Sequence, residues 1–324
     1  MNILVTGGAG YIGGTVALRL LAAGHKVLIY DSFCHGHRDL VPSGAQPVEG
    51  ELADRAKLDR VFREEKIHGV MHFAALIEAG ESMKHPEIYF RNNTASTLTL
   101  LEAMLAAEVN RLVFSSSAAV YGEPERTPIE ETAALGPTNP YGESKLLVEH
   151  MLTWLNRIHG LHYASLRYFN VAGAVEGRGE AHEPESHLIP LILDVALGRR
   201  PSVKIFGKDY PTPDGTCIRD YVHVGDLADA HVLAFEALGT HSRLIYNVGN
   251  GQGFSVREVV ESARRVTGRP ILAIDEPRRP GDPAVLVASS KKIIEELGWK
   301  PRYGALDDIV RSAWVWHQER FGKA

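Results

Sequence analysis

Tyr141 and Lys145 stand four residues apart in a stretch with helical periodicity, so their side chains share one face, one turn apart. A phenol with a pKa of about 10 is too weak an acid to exchange protons readily near neutrality. A neighbouring ammonium, and any cationic ring bound beside it, favours the phenolate by about 1.4 kcal/mol per unit of pKa shift. A Tyr and a Lys at this spacing arise often by chance and then only pack a surface. Here Ser115, Ser116 and Ser117 close an apolar run that reads as a buried strand. The carboxyl ends of such strands are where open α/β sheets place their ligands. The Ser117 hydroxyl can hydrogen-bond and orient a reacting oxygen there. Ser117, Tyr141 and Lys145 are therefore the candidate catalytic residues, and the chemistry they suit is proton exchange coupled to hydride transfer.

Hydride transfer needs an acceptor, and the N-terminus supplies a place for one. Gly7, Gly10 and Gly13 lie between a short apolar run and an apolar helical pattern. Without Cβ atoms the turn can tighten and let backbone N–H groups approach a pyrophosphate, with the helix N-terminus adding partial positive charge. Asp31 follows Gly7 by 24 residues, at the end of a second apolar run. Its carboxylate can accept from both hydroxyls of an adenosine ribose and would repel a 2′-phosphate. No Arg or Lys follows it before Arg38. The expected cofactor is NAD rather than NADP.

These residues need a frame. Residues 3–5, 27–30, 70–73, 112–114 and 163–169 are apolar runs without polar alternation, and helical patterns fall near 11–23, 55–65, 92–107 and 141–158. Unalternating strands separated by helices predict a parallel sheet covered on both faces. The fold class is α/β, a doubly wound parallel (Rossmann) sheet with a smaller α/β C-terminal substrate-binding cap. Residues 1–170 are expected to form the dinucleotide-binding domain. Residues 171–324 are expected to be mainly cap, with some segments returning to the first domain. The stretch 173–186, rich in Gly, Glu and His, reads as a surface loop. Ser255 and Glu258 form a capping box that opens a helix closed by Gly268 and Pro270.

Composition narrows the partners. The 324 residues hold 35 Lys and Arg against 40 Asp and Glu, a net charge of −5. That balance argues against a general nucleic-acid or anionic-membrane surface. The two cysteines, Cys34 and Cys217, form no CxxC pattern, the first residues carry no secretory pattern, and no run of 18 apolar residues exists. The expectation is a cytoplasmic protein with no nucleic-acid or membrane partner. His35, His37, His182 and His187 lack the spacing of a convincing metal set and read as solvated loop residues. Trp299, Trp314 and Trp316 read as packing.

The chain resembles the extended short-chain dehydrogenase/reductase family, and within it the UDP-glucose 4-epimerases. The likeness runs over almost the whole length. It is carried by the Gly7–Gly13 turn, His72 to Ala75, Gly80 to Ser82, Phe114 to Gly122, Asn139 to Lys145, Leu166 to Asn170, Asp209 to Thr212, Asp214 to Thr216, Arg219 to Asp229 and Arg279 to Asp282.

The resemblance implies that UDP-galactose and UDP-glucose are interconverted through transient hydride transfer from sugar C4 to NAD. Tyr141 would be acid and base, Lys145 its electrostatic partner and a ribose ligand, and Ser117 the group that orients the sugar. Glu51 and Leu52 would lie near the adenine, Phe73, Ala74 and Ala75 along the cofactor, and Asn92 near its phosphates or nicotinamide. Tyr11, Ile12, Ser115 and Tyr168 complete the implied cofactor contacts. Asn170, Arg219 and Arg279 would hold the diphosphate of the sugar nucleotide, guanidinium groups being well suited to phosphate. His187, Leu188, Lys204, Ile205 and Phe206 would line the uracil, and Asp282 would meet the uridine ribose. No metal is implied, and a homodimer through the helices near 92–107 and 141–158 is.

Departures from the family pattern sharpen the choice. Ile77 replaces a cofactor-contacting Lys, and Leu286 leaves open the tolerance for N-acetylated sugars. The alternatives are an epimerase of UDP-N-acetylglucosamine or UDP-glucuronate, a dehydratase or decarboxylase, and a non-catalytic NAD-binding regulator. Ala118 and Ala119 stand where dehydratases and decarboxylases of the group carry an acid, which counts against those two. The intact Tyr141 and Lys145 count against the regulator.

Overall fold

Apolar runs become strands and amphipathic runs become the helices that cover them, in a computed structural model that describes residues 1–175, 177–279 and 282–322. β1 (Asn2–Thr6) leads through the glycine turn into α1 (Tyr11–Ala22), followed by β2 (Lys26–Asp31) and β3 (Gln46–Glu49). Next come α2 (Arg55–Glu65), β4 (Gly69–His72), the single turns α3 (Ala79–Ser82) and α4 (Pro86–Tyr89), a wide helical turn over Phe90–Ala95, and α5 (Ser96–Ala106). β5 (Arg111–Ser117), α6 (Pro140–His159), β6 (His162–Tyr168) and β7 (Asn170–Ala172) follow.

Beyond residue 172 lie α7 (Leu188–Ala196), β8 (Val203–Phe206), β9 (Ile218–His223), α8 (Val224–Ala237) and β10 (Arg243–Val248). The chain ends with β11 (Gly253–Ser255), α9 (Val256–Thr267), β12 (Ala273–Glu276), β13 (Val285–Leu286), α10 (Lys291–Leu297) and α11 (Leu306–Phe321).

Seven parallel strands form one sheet in the order β10-β6-β5-β4-β1-β2-β3. From β1 the chain winds outward to β3 and returns to the other side of β1 at β4. That reversal opens a crevice at the carboxyl ends of β1 and β4. Alternate residues of each strand face opposite layers. Ile3, Val5 and Ile29 pack with Val16, Leu20, Leu227 and Phe235 of α1 and α8. Leu4, Leu28 and Val70 pack with Leu58, Phe62, Leu100 and Val148 of α2, α5 and α6. Both faces being covered is the reason the strands show no polar alternation.

The second half contributes α8 and the edge strand β10 to this sheet. Its other elements gather around β9, which β11, β13 and β7 flank, and around the parallel pair β12 and β8. Ile192, Leu193, Val259, Ile309 and Val310 fill the core between α7, α9 and α11. The Ser255 and Glu258 capping box forms, and Gly268 closes α9 at φ +63°. Trp299 is buried with its indole N–H on the Asp226 carbonyl at 2.8 Å.

The stretch expected to be a surface loop is instead packed down. Arg178 and Ala181 are buried, the Arg178 guanidinium donates to the Gly10 carbonyl at 3.2 Å, and His37 meets the Ala181 carbonyl at 2.7 Å. His182 and His187 are correspondingly engaged with Glu78 and Glu185 rather than freely solvated. Polar composition concealed this because the loop is held by charged and backbone groups, not by apolar ones. Among the described residues no helix is long and apolar enough to cross a membrane.

Candidate active site

The glycine turn has room for nothing but hydrogen at two of its positions. A Cβ on Gly7, whose φ is +71°, would lie 2.5 Å from the Ala74 nitrogen, and one on Gly13 would press into the Gly7 carbonyl. The turn is closed by Gly10 N–H on the Gly7 carbonyl at 3.2 Å. α1 starts there with no acidic residue in its first turn, so the N–H groups of Tyr11, Ile12 and Gly13 present an uncompensated positive helix end. Asp31 sits beside it, mostly buried, and its two carboxylate oxygens accept from Ala9 N–H at 3.0 Å and Phe33 N–H at 2.9 Å. A cradle this close to backbone, with a carboxylate aimed across it, fits a dinucleotide.

The other wall is the loop after β4. Phe73 N–H donates to the Thr6 carbonyl at 2.9 Å, which sets Phe73, Ala74 and Ala75 against the turn. Leu52 is buried near the end of β2, and the Glu51 carbonyl accepts from the Tyr30 hydroxyl at 2.9 Å. Asn92 lies on the wide turn before α5 and donates to Asn93 Oδ1 at 3.0 Å. Asn93, which no sequence signal singled out, ties this wall to the helix that carries Tyr141 and Lys145. It accepts from Leu76 N–H at 2.8 Å, donates to the Leu76 carbonyl at 2.9 Å and donates to Ser144 Oγ at 3.1 Å. The Tyr11 hydroxyl is not free for a ligand in this arrangement, since it donates to the Gly173 carbonyl at 2.6 Å.

Ser117, Tyr141 and Lys145 meet at the end of β5. Asn139 caps α6 by accepting from Gly142 N–H at 2.9 Å, and Pro140 occupies the first turn. A Cβ at Gly142 would fall 2.6 Å from the Ala119 carbonyl oxygen, so glycine lets α6 descend onto the strand end. The Ser117 hydroxyl neighbours the Tyr141 phenol closely enough to draw its pKa downward, and it accepts from Ala119 N–H at 3.1 Å. Lys145 is buried, donates to the Ser115 carbonyl at 2.9 Å and lies 5.9 Å from the Tyr141 ring centroid. The Tyr168 and Ser115 hydroxyls are hydrogen-bonded alongside.

The electrostatics differ from the simple expectation. Burial raises the Tyr141 pKa above its ordinary value, and only Ser117 opposes it. Burial also pushes Lys145 down to about 7, which weakens the ammonium as a source of positive charge. Desolvation disfavours both charged forms at once. His72, beneath the site, is held by the Thr6 and Thr97 hydroxyls at 2.6 and 2.8 Å, and burial, aided by the charge of Lys145, drives it down to about 3.

On the cap side, Arg219 reaches Asp282 at 3.1 Å, and the Arg279 guanidinium stacks 3.9 Å from the Phe206 ring centroid. Asp282 N–H donates to the Arg279 carbonyl at 3.4 Å, joining the two pairs. Pro280 and Gly281, between them in sequence, lie outside the described residues. Leu286 pairs with Arg219 in strand register, and Asn170 is exposed at the start of β7. The remaining expected residues each have partners of their own within the cap. Lys204 turns out to Glu276 at 3.1 Å, the Ile205 side chain is buried in the cap core, and Leu188 packs against that core from the start of α7. His187 binds Glu185 at 2.8 Å. Burial works against its charge, but that hydrogen bond and the nearby Glu180, Glu185 and Glu78 outweigh it and raise its pKa to about 9.

A model of the NAD dependent epimerase/dehydratase family matches residues 3–249. The chain belongs to that family. It is 55% identical over 315 residues to a UDP-glucose 4-epimerase of Streptomyces lividans, covering 97% of this chain and 95% of that one. A crystal structure of a UDP-glucose 4-epimerase superposes with a TM-score of 0.96 at 49% identity, covering 99% of this chain and 98% of the other. The UDP-glucose 4-epimerase of Bifidobacterium longum, solved in complex with NAD+ and UDP, superposes with a TM-score of 0.94 at 39% identity over 98% of both chains. Within this family's fold, the described residues hold no group of three or more His, Cys, Asp or Glu that could bind a metal ion. Ala118 and Ala119 form a 3-10 turn directly after Ser117, next to the reacting groups.

Proposed function

We infer that the chain is a UDP-glucose 4-epimerase, an isomerase that interconverts UDP-galactose and UDP-glucose with NAD as its cofactor. The observation that carries this reading is the Ser117, Tyr141 and Lys145 constellation followed by Ala118 and Ala119, on a chain half identical to UDP-glucose 4-epimerases over nearly its full length. NAD, when bound in the Gly7–Gly13 cradle with Asp31 on its adenosine ribose, supplies a hydride acceptor and a positive charge beside the phenol. Tyr141 would take the proton of the sugar 4-hydroxyl as C4 loses its hydride and, once the 4-keto sugar has turned, return a proton to the same oxygen as C4 regains its hydride on the opposite face. Ser117 orients that oxygen. Lys145, fixed on the Ser115 carbonyl, holds whatever charge it carries beside the phenol. Alanine at 118 and 119 can carry no proton, which counts against a dehydratase or a decarboxylase.

Inversion needs an anchored nucleotide and a turning sugar. Arg219 and Arg279, with Asn170, would hold the diphosphate, and Asp282 and Phe206, which contact Arg219 and Arg279, would meet the uridine. Residues 1–170 would then hold the cofactor while 171–324 supply most of the sugar-nucleotide cap, with α8 and β10 returning to the sheet. The exposed Leu98 on α5 and Trp154 and Ile158 on α6 support a homodimer across those helices. Two unpaired cysteines, Cys34 and Cys217, suit the cytoplasm.

The test is incubation of the purified protein with UDP-galactose and NAD, with products separated and weighed by mass spectrometry. UDP-glucose at unchanged mass without net NADH is expected. A product lighter by one water would replace the reading with a dehydratase.

A further inference from the structure

Tyr141 and Lys145 are not alone on their face of α6. Glu149 continues the series at i+8, two turns from Tyr141, and is 4% exposed. Each of the three faces a different one of three consecutive residues in β5. Tyr141 neighbours the Ser117 hydroxyl, Lys145 donates to the Ser115 carbonyl at 2.9 Å, and Glu149 accepts from the Ser116 hydroxyl at 2.6 Å.

The third contact is the most elaborate. Ser116 pairs with Arg167 of β6 in strand register, so their side chains lie side by side on the face that α6 covers. Arg167 donates to both carboxylate oxygens of Glu149, through Nε at 3.0 Å and Nη2 at 2.5 Å. Its remaining nitrogen donates to the Tyr121 hydroxyl at 2.9 Å, which donates to Asn247 Oδ1 on β10 at 2.7 Å. Both ions are almost fully buried. A buried ion pair is poor value as a source of stability, since well-packed apolar groups often do as well or better. A bidentate fork, by contrast, permits one separation and one orientation. An apolar face would let α6 slide or roll on the sheet by an ångström, and a reacting group displaced by that much can lose about a hundredfold in rate.

We propose that Glu149, clamped by Ser116 and Arg167, is a positioning residue that sets the depth and register at which Tyr141 and Lys145 meet the end of β5. It touches no reacting atom and acts through those two residues. This rests on the epimerase reading above for its kinetic consequence, while its geometric consequence does not.

The test compares Glu149→Gln, which keeps the length of the side chain but turns one acceptor into a donor facing Arg167, Glu149→Asp, which keeps the charge but shortens the reach, and Ser116→Ala, which removes only the strand-side grip. Expected for both Glu149 variants is a kcat lowered about ten- to a hundredfold with the KM for UDP-galactose and the bound NAD content within twofold of wild type. Ser116→Ala should move kcat several-fold in the same direction.

A second readout needs no turnover. The ultraviolet titration of Tyr141 in the holoenzyme, identified as the signal missing from Tyr141→Phe, should shift upward in Glu149→Gln. The groups around that phenol are Ser117, Lys145 and Tyr168, and a displaced helix weakens the favourable influence of Ser117. A lowered melting temperature with unchanged kcat and an unmoved Tyr141 titration would mean that the clamp only stabilises the fold, and the proposal would fall. Should the Glu149 variants not fold, the same two readouts on Ser116→Ala decide. A wild type that titrates as described but does not epimerise would sink the functional reading and leave the clamp standing.

Discussion

The sheet edge and the cap handle charge in opposite ways. At the sheet edge Tyr141 and Lys145 are held without a carboxylate partner, in surroundings that push both toward their neutral forms. In the cap Arg219 rests on Asp282, Arg278 on Asp209 and Lys204 on Glu276, most of these groups partly open to solvent. On the proposed epimerase reading, the contrast follows from what each group would do. A residue that gains and loses a proton within a cycle needs an environment in which neither form is strongly preferred. Desolvation brings Lys145 toward that balance, while for Tyr141 it adds to the preference for the neutral phenol and leaves Ser117 to oppose it. A residue that only grips a diphosphate needs a permanent charge. Guanidinium provides one, and a nearby carboxylate keeps it in place until a better anion arrives.

The largest break in that contrast comes from the sheet edge. Replacing Tyr141 with Phe removes the proton carrier, and kcat should fall by about 10²- to 10⁴-fold while UDP-galactose binding, measured by calorimetry on the holoenzyme, stays within a few-fold. Unchanged turnover would mean that the buried phenol is structural. In the cap the effect should fall on binding. Arg219→Met removes a charged donor, and KM should rise by about ten- to a hundredfold, in line with roughly 1.5–3 kcal/mol for such a bond, with kcat changed little. If kcat dropped as steeply as kcat/KM, Arg219 would belong to the reacting centre and the two regions would not be divided as described.

A smaller effect reads the neutrality of the sheet edge directly. His231 lies in van der Waals range of the Phe73 and Tyr168 rings, and burial pushes it down to about 4 against one hydrogen bond to the Leu227 carbonyl. An unfolded chain takes up this proton near pH 6.5, whereas the folded chain resists it until about pH 4. Protons therefore favour the unfolded state between those values, and stability falls as pH falls. Relative to His231→Phe, the wild type should lose up to about tenfold in its folding equilibrium per pH unit across that window. Melting curves of both proteins from pH 7 to 4 check it, and parallel curves would refute it. His187 should behave oppositely. Its pKa is raised to about 9, so its contribution is full below pH 6.5 and fades as pH rises through 9.

Much of this was legible in the chain itself. The apolar runs named β1, β2, β4, β5 and β6, the glycine spacing named the turn, and the four-residue step named the shared face of Tyr141 and Lys145 on α6. β3 was not legible, because an edge strand of Gln46, Pro47, Val48 and Glu49 is mostly exposed and has no apolar signature. Nor was β10, which joins the sheet beside β6 from far along the chain and so shows no local sign of its partner. The packing of 173–186 was hidden for a different reason. Gly173, Arg178 and Ala181 are fixed by hydrogen bonds to Tyr11, Gly10 and His37, contacts that leave no periodicity.

By itself the sequence determined what depends on near neighbours. Strand and helix type, the caps, the close approach that only glycine allows, and the alignment of Tyr141 above Lys145 are all set within a few residues of backbone geometry. The tertiary structure alone decided which distant groups meet. Tyr121 finds Asn247 across 126 residues, Tyr11 finds Gly173 across 162, and Glu149 finds Ser116 across 33. It also decided the protonation of the site, because a phenol, an ammonium and an imidazole take their acidity from the water that packing removes, and no sequence spacing records how much remains.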